Sequence, residues 1–304
     1  MTTIQPIQRI AFIGLGNMGA PMAGHLATHG FELRVHDAKR EAMDRFAGVH
    51  PVKAASSVAE ASSDAQAVIT MLPDDAAVRA VVLGERGVAT SLAPGAIAID
   101  MGTSSPSSTV AIAEELARRG IHYVDAPVMG GVAFARDGTL DIMAGGAPEV
   151  VERCLPVFAA MGRKTHRCGT IGSGHALKAI ANFVNASALV TLIEAMTMGR
   201  KFGLDTSFMV DALTAMCAGR QYPLEKKIVP QVLNRRVATG MARGLIAKDL
   251  GIAAKLGHDV GARASIAEHT QALWREAVER YGFARDQAEI ARLWEDDAGV
   301  ELKS

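Results

Sequence analysis

The stretch Arg9–Gly19, RIAFIGLGNMG, constrains the fold of this chain more than any other. A short apolar run ends in Gly14-Leu15-Gly16-Asn17-Met18-Gly19, a GxGxxG pattern, and a helical pattern follows it. The pattern is informative only in that strand–loop–helix setting. There Gly14 permits a tight turn, Gly16 lets backbone approach a phosphate, and Gly19 lets helix and strand lie close together. The helix N-terminus adds unpaired N–H groups and the positive end of its dipole, so the loop suits the pyrophosphate of a dinucleotide. Asp37 ends the next apolar run, eighteen residues beyond Gly19. A carboxylate there suits the hydroxyls of an adenosine ribose and repels a 2′-phosphate, which favours NAD. Lys39 and Arg40 follow closely enough to receive such a phosphate, so NADP stays open.

The alternation of strand and helix continues through the first half. Strands are expected at Arg9–Gly14, Phe31–Asp37, Ala67–Leu72, Ala96–Asp100 and His122–Asp125, with shorter ones at Thr139–Ala144 and Lys164–Cys168. Helices are expected up to Gly30, at Lys39–Ala47 and Asp74–Leu83, and from an Ser105 N-cap with Pro106 at the first position to Arg119. This order implies an α/β Rossmann domain over residues 1–169, with a doubly wound, mostly parallel sheet. The character changes near Thr170. From Gly174 to about Lys201 no proline interrupts a helix of roughly 40 Å. Phe208–Ala215, Pro223–Leu233, Leu245–Leu256, Ile266–Arg280 and Gln287–Asp296 all read as helical. Residues 170–304 are therefore expected to form an all-α domain led by a long interdomain helix.

A length of 304 residues fits two such domains. Aromatic residues are only 5%, so aliphatic side chains must fill both cores. Basic and acidic residues number 32 each, which gives no electrostatic reason to expect nucleic acid or an anionic membrane as partner. The three cysteines, Cys154, Cys168 and Cys217, form no CxxC pair, and their odd number points to a reducing cytoplasm. There is neither a secretory-type leader nor a run of 18 apolar residues, so no membrane span is expected. His25 and His29 are i, i+4, but no glutamate follows His25; they read as the exposed end of a helix rather than a metal pair. Cys217 has no nearby base. Trp274 and Trp294 read as packing anchors.

Lys178 and Asn182 are also i, i+4, and Asn185 lies a further turn along. Leu177, Ile180 and Val184 suggest that this polar face is set in an apolar stripe. Near a helix N-terminus the dipole disfavours an ammonium, and partial burial acts in the same direction. A lysine so placed can serve as a general base. Taken alone, the pattern fits a surface lysine on an amphipathic helix better.

Four stretches taken in order change that balance: GLGNMGAPMA, then Asp125–Gly146 (DAPVMGGVAFARDGTLDIMAGG), then Gly172–Asn182 (GSGHALKAIAN), then Lys248-Asp249-Leu250. Over nearly the whole chain they resemble the β-hydroxyacid dehydrogenase family, which includes 3-hydroxyisobutyrate dehydrogenase and tartronate semialdehyde reductase. The resemblance implies hydride transfer between a nicotinamide and a β-hydroxyacid or its semialdehyde, in a cleft between the domains and without a metal. It implies Lys178 as the acid/base and Asn182 as an orienting group. Met129, Gly130, Gly131, Met241 and Asp249 match substrate positions. The cofactor would touch Gly14, Leu15, Gly16, Asn17, Met18, Gly19, Asp37, Leu72, Pro73, Thr103 and Lys248. His175 either touches the cofactor or helps to start the long helix. A homodimer or homotetramer is implied. The chain departs from the family at Met129 (usually Ser), Phe134 (Gly), Met241 (aromatic), Ala181 (Asn or His) and Gly102 (Ser). These changes make the pocket more apolar, so a larger or more apolar substrate is expected. The alternatives are an imine reductase on the same architecture, which usually lacks a lysine at position 178, and a catalytically silent dinucleotide-binding module.

Overall fold

The computed structural model describes residues 6–216, 224–235, 240–261 and 263–303. The chain divides into two compact units, Met1–Lys178 and Ala179–Ser304. The change of character at residue 169 precedes that division, which falls inside the long helix.

In the first unit the strands are β1 (Arg9–Ile13), β2 (Glu32–His36), β3 (Lys53–Ala54), β4 (Ala67–Thr70), β5 (Ile97–Asp100), β6 (His122–Asp125), β7 (Val128–Met129), β8 (Leu140–Gly145) and β9 (Gly162–Gly169). They form one sheet in the order β3-β2-β1-β4-β5-β6-β8-β7, with β9 paired to β8. Neighbours from β3 to β6 are parallel; β8 runs antiparallel to β6 and β7. This is the doubly wound arrangement, in which ligands meet the carboxyl ends of the strands where the order reverses, here between β1 and β4. Side-chain alternation along β1 serves both faces. Ile10 and Phe12 enter one core with Met22, Leu26 and Phe158; Ala11 and Ile13 enter another with Val78, Val82 and Leu116. Truncating Phe12 to alanine would cost about 3–5 kcal/mol by the usual cavity relation. Edge strand β9 is rich in basic side chains, and Arg163 and Arg167 pair with Asp141 and Glu152. Charge of this kind protects an exposed edge from pairing with other chains.

The helices of this unit are α1 (Gly19–Thr28), α2 (Arg40–Ala47), α3 (Val58–Ser62), α4 (Asp75–Leu83), α5 (Val88–Ser91), α6 (Pro106–Ala117), α7 (Gly131–Asp137) and α8 (Pro148–Met161). Ser105 caps α6 and Pro106 opens it, as expected. Helix α8 has no counterpart among the sequence expectations. Pro156 lies in its interior and hides it from a rule that treats proline as a breaker.

Helix α9 (Ser173–Phe202) leads into the second unit. There Leu189, Ile193 and Met196 join Ile228, Leu250, Trp274 and Ile290 in one core. The other elements are α10 (Thr206–Met216), a π-helix over Leu224–Leu233 containing Pro230, α11 (Arg243–Asp259), α12 (Ser265–Tyr281), a 3-10 turn at Gln287–Ile290, and α13 (Ala291–Ala298). Pro223 and Cys217 lie outside the described residues. Trp274 is fully buried, and Trp294 packs against the same core.

One expectation about α9 needs correction. Leu177, Ile180 and Val184 do not flank Lys178 and Asn182. They are exposed, whereas Lys178 and Asn182 are buried. At 100° per residue those three residues form their own stripe opposite the polar pair. Ser173–Ile193 is also long and apolar enough to cross a membrane by length and composition alone, with a mean hydropathy of 1.6, although no unbroken run of 18 apolar residues occurs. Leu189 and Ile193 place part of that apolarity in the core of the second unit.

Candidate active site

The glycine loop follows from steric demand. Gly14 has φ +102, and a Cβ there would collide with the Met71 carbonyl oxygen and lie 3.2 Å from a Leu72 methyl. A Cβ on Gly19 would strike the Gly14 carbonyl oxygen. Gly16 differs, because a Cβ there meets nothing within 4 Å. It would project into the open space above the loop, where a phosphate must come close. Gly16 and Asn17 are exposed, and Met18 gives α1 no side-chain cap, so its first amides face that space. Asp37 holds the loop from the side: Oδ2 accepts the Leu15 N–H at 2.7 Å and Oδ1 the Lys39 N–H at 2.8 Å. The uncapped helix end, the open side of Gly16 and the carboxylate beside them fit a dinucleotide. Leu72 and Pro73 lie within three residues of the end of β4, as Thr103 does of the end of β5, so all three stand at the carboxyl edge of the sheet.

Beside this edge lies a buried polar cluster that local sequence patterns do not announce. Asp100 ends β5, Asp125 ends β6, and both are fully buried, as is His175 in the first turn of α9. Asp100 accepts from Thr70 Oγ1, Gly102 N and Ser104 Oγ at 3.2, 3.0 and 2.7 Å. Asp125 accepts from Gly172 N at 2.7 Å and His175 N at 2.8 Å. Burial pushes the Asp125 carboxyl above its usual range, while His175 and the two amides act in the opposite direction. Gly102 stands where the family usually has serine. A Cβ there would be 3.0 Å from the Leu72 carbonyl oxygen, so this packing favours glycine.

Lys178 lies one turn further along α9 and is 8% exposed. Its Nζ lies 3.8 Å from Met129 Sδ. Gly130 and Gly131 follow Met129, with φ +128 and +74. A Cβ on Gly130 would lie 2.6 Å from the Phe134 Cβ, so Phe134 covers the outer side of this turn. In the second unit, Asn182 Nδ2 donates to Asp249 Oδ2 at 2.7 Å, and Lys248 Nζ pairs with Asp249 Oδ1 at 3.2 Å. Asp249 is buried, so this is no loose surface pair. Met241 packs partly buried against the helical core, and its carbonyl accepts from Gln287 N. His25 hydrogen-bonds the Arg136 carbonyl and His29 the His25 carbonyl.

These features define a nicotinamide-dependent oxidoreductase with a Rossmann domain followed by a helical one. A family described as the NAD binding domain of 6-phosphogluconate dehydrogenase matches residues 9–172. A second, described as NAD-binding of NADP-dependent 3-hydroxyisobutyrate dehydrogenase, matches residues 172–294. The chain is 32% identical over 295 residues to 2-(hydroxymethyl)glutarate dehydrogenase of Eubacterium barkeri, covering 97% of each. It is 32% identical over 298 residues to NAD-dependent L-serine dehydrogenase of Pseudomonas aeruginosa, covering 96% of this chain and all of that one. A structure of Mycobacterium tuberculosis 3-hydroxyisobutyrate dehydrogenase with L-serine matches at a TM-score of 0.87 and 29% identity, over 94% of this chain and 99% of that chain. The chain belongs to the β-hydroxyacid dehydrogenase family, and it is an NAD(P)-dependent enzyme of that class.

Proposed function

We propose that this enzyme interconverts a β-hydroxy carboxylic acid and its semialdehyde, with Lys178 as the acid/base and NAD as the preferred cofactor. The nicotinamide, when bound, supplies or accepts the hydride. The observation that carries the reading is Lys178 itself, an amine buried in the first turns of α9 and within reach of the Met129–Gly131 turn. A buried lysine close to an open turn can take the hydroxyl proton on oxidation and return it on reduction. The successive left-handed glycines 130 and 131 favour a substrate carboxylate held by backbone N–H groups. Asn182 gives one of its two amide N–H groups to Asp249, which fixes the carboxamide so that its carbonyl oxygen or second N–H can orient a substrate hydroxyl.

The relatives act on 2-(hydroxymethyl)glutarate, L-serine and 3-hydroxyisobutyrate, each a carboxylic acid with a hydroxymethyl group on the adjoining carbon. The present chain takes the same head group. Met129 beside Lys178, with Phe134 behind the turn, supports a substrate whose remaining substituent is larger or more apolar than the methyl of hydroxyisobutyrate. Asp37 supports NAD through its charge, and Arg40, which would otherwise serve a 2′-phosphate, is paired with Asp44. The lysine at position 178 favours this reading over an imine reductase. The exposed stripe Leu177, Ile180 and Val184 supports self-association as a homodimer or homotetramer.

The test is absorbance at 340 nm with NAD or NADP and β-hydroxyacids graded by side-chain size. NAD reduction that rises with apolar substituent size is the expected result. Equal rates for small and bulky acids would overturn the apolar pocket, and silence across the series would overturn the reaction.

A further inference from the structure

The Asp125–His175 cluster has a geometry that the reaction chemistry above does not use. Helix α9 begins at Ser173, and the Asp125 carboxylate, from the end of β6, receives the amides of Gly172 and His175. A carboxylate from another strand therefore caps the open end of α9. The glycines around it make room. A Cβ on Gly174 would collide with the Met143 carbonyl oxygen and lie 2.9 Å from Asp125 Oδ2, and one on Gly145 would lie 2.6 Å from Oδ1.

The His175 ring is held as well. Its Nδ1 lies 2.7 Å from Thr109 Oγ1 in α6. The Thr109 hydroxyl donates to the Ser105 carbonyl at 3.0 Å. One hydroxyl has one proton; with that proton on the Ser105 carbonyl, Oγ1 accepts from the ring and Nδ1 carries a proton. Nε2 lies 3.7 Å from Asp100 Oδ2 and has no hydrogen-bond partner among the described residues. The other ionisable groups near the cluster are Tyr123 and Cys168, both pushed up by burial and so neutral, and Asp75, which accepts from Ser105.

We propose that Asp125 and His175 are positioning residues for Lys178: they clasp the first turn of α9 to the end of β6 and to α6, and thereby fix where Nζ stands. Lys178 is three residues beyond His175 on the same helix, so any shift of that turn is passed to it. The role assigned to Lys178 is the one proposed above, and the test separates the two.

The test compares the full-length protein with His175→Asn and His175→Leu. Asparagine puts an amide where Nδ1 stood and keeps a donor to Thr109; leucine keeps an apolar bulk and loses the donor. The clasp predicts that the Asn variant holds kcat within about threefold while the Leu variant loses about tenfold or more, as displaced catalytic groups do. The pH profile of kcat should move only in the Leu variant, and NADH affinity should stay within about twofold in both. A Leu variant as active as the Asn variant, or more so, means packing alone and overturns the proposal. Long-range 1H–15N NMR of the wild type then locates the ring proton, with the His175 signal identified by its loss in the Asn variant. A proton on Nδ1 is expected, and an unprotonated Nδ1 overturns the clasp. That readout needs no turnover, so it stands if no hydroxyacid is oxidised and if the Leu variant fails to fold.

Discussion

Asp37 follows β2 and Asp125 ends β6, two parallel strands of one sheet, and each accepts two backbone N–H groups at 2.7 and 2.8 Å. The surroundings divide them. Asp37 is half-buried, its donors lie 2 and 22 residues away, and the loop it steadies has exposed amides and an open side at Gly16. Asp125 is fully buried, its donors lie 47 and 50 residues away, and glycines 145 and 174 are pressed against its oxygens. The same two-amide arrangement thus leaves a helix end open to a ligand at one strand and closes a helix end against the sheet at another. Burial decides which: an accessible carboxylate can still meet a ribose, whereas one removed from water must be satisfied by its neighbours.

That contrast can be broken at its glycines. Gly145→Ala should damage the closed end, because its Cβ would lie 2.6 Å from Asp125 Oδ1 and 2.9 Å from Gly174 N. Overpacking here should cost about 3 kcal/mol, read as a lowered denaturation midpoint without added dinucleotide. Gly16→Ala should do the reverse. Its Cβ meets nothing within 4 Å, so the denaturation midpoint should hold or rise slightly, while NADH affinity falls about tenfold or more. Equal effects of the two alanines on stability would erase the distinction. Asp37→Asn sharpens it further: loss of the charge should move the NADP-to-NAD ratio of kcat/KM about tenfold toward NADP.

The smallest effect concerns Asp141, which the Arg163 guanidinium holds below the usual carboxylate range. A lowered carboxylate stabilises the fold above its ordinary range, and that contribution is lost as pH falls through the lowered value. Arg163→Ala should therefore lower stability slightly near neutrality, flatten the acid limb of stability against pH, and leave stability unchanged below the lowered value. Both partners are partly exposed, so salt should reduce the difference.

Much of the Rossmann domain was legible because its signals are local. The three glycines of the loop, the period-two alternation in β1 and the Ser105–Pro106 helix start each lie within a few residues. Pro156 hides helix α8, and the face of the apolar stripe on α9 is not legible because spacing alone does not say which side is buried. The Asp100–Asp125–His175 cluster could not be read from any window, since its members meet only when β5, β6 and α9 are assembled. The motif GSGHALK carried half of that signal: its second glycine, Gly174, reflects crowding against Met143 and Asp125 rather than chain flexibility.

The most direct test of the central claim is Lys178→Ala, assayed for both turnover and dinucleotide binding. The account predicts a loss of about 10²-fold or more in kcat with NADH affinity within about twofold of the wild type. Unchanged turnover, or a parallel loss of turnover and NADH binding, would contradict it.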